Sequence, residues 1–417
     1  MNMMNFSARS RAGRCKWMAT LVMLSSMSAQ AITQEIRAEF RPDSAQPHRN
    51  VFVNKTPVSG YCATLPAECE AANMFSIRLP LRFDSIGEIS KGVSLPIKVP
   101  ASWRSVVVRN RNTQETEIVE IRVSGIGSTY RLSHSAASLV GVTNNLEGHR
   151  KLWGSSWVYA PAPCAYSGVG ILRDAKSYTF FWRTPQEAPC TKTAQFLIPH
   201  MQYDYLDFAY ELRTPNPLGM SPGTYTGQLT YRVGSGGDFD LSDQMVPADE
   251  LVVLDFNLNV EHTLKVDIPP GGNKVELVPL GGWQGWLQSG RRPVSLFRDQ
   301  TFNISASSRF KMEIACQHSG VINDCSIFDP VSKRSVALNV YVTLPNGLTT
   351  MTGEPVRRLR LYEGKDKVQV FKPGQYVDHK PGVLHFEVPK NQMAFMLQPG
   401  VQSTYFGYVT VIWDSEV

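Results

Sequence analysis

The chain has 417 residues, 42% of them hydrophobic and 19% charged, with a formal net charge of +6. So much apolar material excludes a disordered chain. The charge is too small to argue for a nucleic-acid or anionic-membrane partner.

Residues 1–31 place Arg9, Arg11, Arg14 and Lys16 ahead of an apolar run over 17–24 and close on Ala29-Gln30-Ala31. Basic, then apolar, then small is the order of a secretory signal cleaved before Ile32. The apolar run falls well short of the ~20 residues of a membrane helix. No other segment approaches that length, so export without membrane insertion is expected. Removing the four basic residues of the signal lowers the formal charge from +6 to +2. Cys15 leaves with them. The spacing of the other six cysteines suggests three local disulfides, Cys62–Cys69, Cys164–Cys190 and Cys316–Cys325, at home in an oxidising compartment. A zinc site would want short pairs such as C-x2-C, which the sequence lacks, so no metal is expected.

Past Ile32 the helical period is hard to find. Short alternating or apolar runs at 105–108, 117–123, 178–182, 227–233, 251–260, 336–344 and 383–388 are separated by Gly, Pro, Asn and Ser. That pattern predicts an all-β chain of two sandwich domains. A mature chain of this length exceeds what one core serves. In order along it, Trp103-Arg104 with Arg109 and Arg111 offers guanidiniums for an acidic ligand, and the last two share a face if their strand is unbroken. Then comes the densest aromatic stretch, 149–159, with Arg150, Trp153, Trp157 and Tyr159, followed by Trp182 in Phe180-Phe181-Trp182-Arg183. These suit a sugar, which wants an aromatic face and fixed polar groups. The competing reading is core, the usual fate of aromatics in a sandwich. Asp238, Asp240 and Asp243 read as a solvated turn, since they lack the spacing of a calcium loop.

The alternation of Leu254, Phe256, Leu258 and Val260 with Asp255, Asn257 and Asn259 predicts a half-buried strand. A new alternation at Leu264, Val266 and Ile268 puts the domain boundary at 262/263. Trp283 and Trp286 read as core or groove-lining. Finally, Tyr405-Phe406-Gly407-Tyr408-Val409-Thr410-Val411-Ile412-Trp413 follows the turn Pro399-Gly400 and predicts a strand near the chain end with nothing after it to cover its edge.

Two of these segments carry a resemblance. Pro222-Gly223-Thr224-Tyr225-Thr226-Gly227-Gln228-Leu229-Thr230-Tyr231 resembles a segment near the end of the receptor-binding domains of two-domain fimbrial tip adhesins of the chaperone–usher type. Pro399-Gly400-Val401 with 406–413 resembles the last strand of pilin domains. The resemblance implies a receptor-binding sandwich over 32–262 and an incomplete, six-stranded Ig-like pilin domain over 263–417. It implies four partners: a periplasmic chaperone, an outer-membrane usher, a neighbouring subunit that donates a strand, and a host glycan. Val409, Val411 and Trp413 would flank the acceptor groove, being more uniformly apolar than Tyr408, Thr410 and Ile412. Shaft subunits begin with an alternating extension that is donated onward. Here 32–47 is polar, which suits a subunit at the fimbrial tip on the cell surface. The alternatives are a structural or assembly-initiating minor pilin and a secreted β-sandwich hydrolase. No G-x-S-x-G, H-E-x-x-H or phosphate-loop motif is present, and no catalytic residue or cofactor is expected.

Overall fold

A computed structural model describes residues 31–320, 323–398 and 402–415. The expected signal segment and the Pro399-Gly400-Val401 turn lie outside the described residues. The protein is built mainly of strands. Thirteen strands from the part before residue 261 form one strongly curved sheet. Its spine is the strand Leu251–Val260, in which Val252, Leu254, Phe256, Leu258 and Val260 are buried and the residues between them are half-buried. That is the period of two read from the sequence. Ile32–Phe40 lies parallel against this strand, with Ile36 opposite Phe256, and Gly223–Arg232 lies antiparallel on its other side.

The strand Thr116–Leu132 is long enough to serve two neighbourhoods. Its first half pairs with Arg104–Asn110 and its second with Ser177–Arg183. Gly127 permits the second pairing: a Cβ there would lie 2.6 Å from the Phe180 carbonyl oxygen, so only glycine lets the two backbones approach. Between these strands the chain departs from the all-strand expectation. Ser135 caps a short helix, Ala136–Val140, and Asn144 caps Asn145–Leu152, each side-chain oxygen accepting a backbone N–H. Such caps satisfy first-turn donors and start helices where a weak apolar period gives no warning.

The strands after residue 263 form two sheets. One contains Leu264–Asp267, Leu296–Ala306, Val377–Val388, Arg334–Thr343 and Cys325–Asp329, with Leu359–Leu361 paired to Arg334–Thr343; the other contains Leu348–Thr350, Gln369–Pro373, Phe310–Cys316 and Val409–Ser415. They meet as a sandwich, and Phe302 of the first sheet touches Trp413 of the second at 4.8 Å between ring centroids. This part has its own core around Phe302, Phe310, Val340, Phe371 and Phe386. At the junction, His262 donates from Nε2 to the Met220 carbonyl at 2.9 Å and meets Ser307 Oγ through Nδ1 at 3.1 Å. The three disulfides pair as the spacing suggested.

Candidate functional site

The tryptophans of the sequence-derived receptor site are not on the surface. Trp153, Trp157 and Trp182 are 3%, 1% and 0% exposed. Trp157 is the hub, with ring centroids at 4.5 Å from Phe180, 5.0 Å from Tyr130, 5.1 Å from Trp182 and 5.2 Å from Trp153. All three tryptophans belong to the hydrophobic core of the first sheet, packed with Tyr130, Phe180 and Tyr203. His149 also turns inward, its Nδ1 2.7 Å from Tyr130 Oη. Arg150, on the same helix, is exposed.

Arg109 and Arg111 are both exposed, on either side of the buried Asn110. The strand ends at Asn110, whose Oδ1 accepts the N–H groups of Asn112 and Thr113 at 2.8 and 3.2 Å. This Asx turn closes the hairpin after Asn110, while the Arg111 N–H still bonds the Thr224 carbonyl at 3.0 Å. The same hairpin lies at the junction end of the first sheet, since Glu115 accepts from Ser221 N–H, next to the Met220 that His262 holds. Arg104 is paired with Asp238 at 3.1 Å and Glu187 at 3.5 Å. Asp238 and Asp240 are occupied inside their own turn, accepting from Arg232 N–H and Gly236 N–H.

Tyr159 is the aromatic of 149–159 that reaches solvent, at 65% exposure. Its ring lies 6.3 Å from that of Tyr166, 60% exposed on the neighbouring strand Ala165–Leu172. The loop presenting Tyr159 is held by buried donors. Lys192 Nζ donates to Ser155 Oγ at 2.8 Å, to the Ser156 carbonyl at 3.0 Å and to the Tyr159 carbonyl at 3.1 Å. Trp182 Nε1 donates to the Trp157 carbonyl at 2.7 Å. A loop fixed at three carbonyls presents its tyrosine with little ordering left to do on binding. Neither Tyr166 nor Lys192 was legible in the sequence.

Lys192 is 4% exposed with no carboxylate among its partners, and burial pulls its ammonium down to about 8. Below that pH the native and unfolded chains both hold the proton. Between about pH 8 and 10 the native state sheds it while the unfolded lysine, near 10.4, keeps it, so the unfolded state binds more protons and stability rises with pH. Denaturant titrations of wild type and Lys192→Met across that range should therefore diverge. The wild type gains on the variant by up to ~1.4 kcal/mol per pH unit. A constant difference would show that Lys192 does not titrate there. Comparing the two proteins cancels the buried tyrosines, which titrate in both.

The second site is in the part after residue 263. Val409, Val411 and Trp413 turn toward the core and are half-buried, while Thr410, Ile412 and Asp414 are exposed. Val409–Ser415 pairs on one side with Phe310–Cys316; its other edge has no partner strand among the described residues. Beside the residues leading into this strand opens a cavity of about 980 Å³. Its floor is the buried set Leu296, Ile327, Leu338 and Phe386, and its walls are Tyr405–Val409 and the helix Trp283–Ser289. Trp283 and Trp286 are thus groove-lining and not core.

No protein-family model matches the chain, and no curated protein matches it. Among solved structures the chain is similar to CfaE, the adhesive subunit of CFA/I fimbria of enterotoxigenic E. coli, with 8% identity, a TM-score of 0.24, and coverage of 93% of this chain and 99% of that one. A chaperone–tip adhesin complex of CFA/I fimbriae biogenesis gives 9% identity, a TM-score of 0.26, and coverage of 93% and 97%. The CsuC–CsuE chaperone–tip adhesion subunit pre-assembly complex of Acinetobacter baumannii gives 8%, 0.21, and coverage of 92% and 98%. At these scores the likenesses say what the chain is similar to, and no more.

Proposed function

We propose that this protein is the tip adhesin of a chaperone–usher pilus, with residues 32–262 as the receptor-binding domain and 263–417 as a pilin domain that accepts a strand. The observation that carries the reading is the edge of Val409–Ser415 that has no partner strand among the described residues, with a groove of about 980 Å³, floored by apolar core, at Val409 and the residues leading into the strand. An exposed edge strand is a liability that exported proteins cover, and a strand added from another chain covers it with main-chain hydrogen bonds while alternate side chains fill the groove. A periplasmic chaperone supplies that strand first and a neighbouring pilus subunit later, after passage through the outer-membrane usher. Supporting the tip position, Ile32–Phe40 is committed to its own sheet, where Ile36, Ala38 and Phe40 are buried, so this segment is not available for donation. The role is binding and assembly, with no catalysis.

The test is expression of the full chain in a bacterial periplasm with and without the chaperone encoded beside it. A one-to-one complex that forms through 263–417 is expected. A protease-resistant monomer indifferent to the chaperone would overturn the assignment.

A further inference from the structure

The helix Trp283–Ser289 has no evident reason to exist as part of a core. None of its residues is buried. Yet Trp283, Trp286 and Leu287 fall at i, i+3 and i+4, the spacing of one apolar face, and Leu287 is 76% exposed. Glycines in the left-handed region stand at both ends: Gly281 and Gly282 at φ 78° and 77° before it, Gly290 at φ 68° after it. Such residues let a short element swing at little steric cost.

What this face meets is the groove. Trp283 and Trp286 line the cavity together with Phe406 and Tyr408, which are 49% and 75% exposed. The floor is apolar core, so a strand in the cavity would have apolar contacts on its inward side, as any strand on a sandwich does. Here four aromatics stand around the mouth as well. Tyr405 Oη, at the same wall, is buried without a hydrogen-bond partner, and such a group is costly until something pairs with it. The lining also carries Lys274 and Arg292 against Glu276, which favours an acidic residue on the occupant.

Resting on the proposed strand acceptance, we infer that the Trp283–Ser289 helix is a clasp. It folds over the outward face of the strand held in the groove, so that this groove selects a strand apolar on both faces where it passes Trp283 and Trp286. An ordinary accepted strand is apolar inward and polar outward. The clasp reverses the preference at the outward positions beside the helix.

Two labelled synthetic peptides test this on the full mature protein. Both alternate apolar and polar residues and carry one acidic end residue; in the second, the outward positions beside the helix are also apolar. The two-faced peptide should bind at least ten-fold more tightly by fluorescence anisotropy. The double variant Trp283→Ala/Trp286→Ala should erase that difference, the two peptides then binding it within two-fold of each other. Equal binding of the two peptides to wild type, or an unchanged preference in the variant, would overturn the clasp and leave strand acceptance standing. Failure of both peptides to bind a folded wild type would overturn the two together.

Discussion

Replacing Trp157 by alanine should lower the unfolding free energy of the first sheet's cooperative unit by about 3–5 kcal/mol, the range for large aromatics removed from a core. The ring is 1% exposed and touches Tyr130, Trp153, Phe180 and Trp182. Its backbone carbonyl is pinned by Trp182 Nε1, and Lys192 anchors the residues on either side. The Cys164–Cys190 bridge ties down the chain that follows. With the loop so held, the surroundings cannot collapse into the space, and the cavity contribution stays near its maximum. Trp157→Phe should cost less than the alanine change, because it leaves a smaller cavity and because Trp157 Nε1 is buried without a hydrogen-bond partner, so phenylalanine removes that orphan donor. Denaturant titration of the full chain reads both, with Tyr159→Ala as the surface control expected within about 0.5 kcal/mol of wild type. Such a loss is a large share of the typical stability of a domain. If Trp157→Ala were as stable as the control, the ring would not be core, and a ligand-facing role would return.

The class of fold was legible because its signal is local. Leu254, Phe256, Leu258 and Val260 alternate with polar residues over a full strand, and burial follows that alternation residue by residue. Short cysteine separations limit which partners lie within reach, and the three bridges formed accordingly. The inward face of the Val409–Ser415 strand could be chosen because Val409, Val411 and Trp413 are uniformly apolar and their neighbours are not. What resisted reading was depth and turning. Whether Trp153 and Trp157 face solvent depends on Tyr130, Phe180 and Trp182, distant in sequence, packing against them, and nothing in 149–159 records that. The strand stops at Asn110 because its side chain bonds the backbone two and three residues on, a competition between side chain and strand that hydrophobic period does not register. Lys192 acquires its role only once 155–159 folds over it. The two short helices escaped because their caps, Ser135 and Asn144, sit in a stretch as polar as any turn.

On the proposed reading the exposed pair Tyr159 and Tyr166 is the first surface to test for a receptor, and each alanine variant should cut glycan binding at least ten-fold, about 1.4 kcal/mol. Tyrosine brings a large amphipathic face with few torsions to freeze, and here both faces stand ready, one on a pinned loop and one on a paired strand. A pyranose ring can lay its C–H side on such faces while its hydroxyls stay in water or reach the tyrosine Oη groups. Phenylalanine at either position keeps the face and should retain most of the affinity, which separates stacking from hydrogen bonding. Because both rings are exposed, the alanine variants should unfold as wild type does, so a lost signal on a glycan panel is a lost contact. Arg150→Ala and Arg109→Ala complete the set: the first removes an exposed cation from the neighbouring helix, the second one on the strand that runs to the junction end. Alanine variants of both tyrosines that bind as wild type would move the site away from this loop, with Arg150 next to be tested. A folded wild type that binds no glycan on a broad panel would leave the pilus reading intact and favour a structural minor pilin over an adhesin.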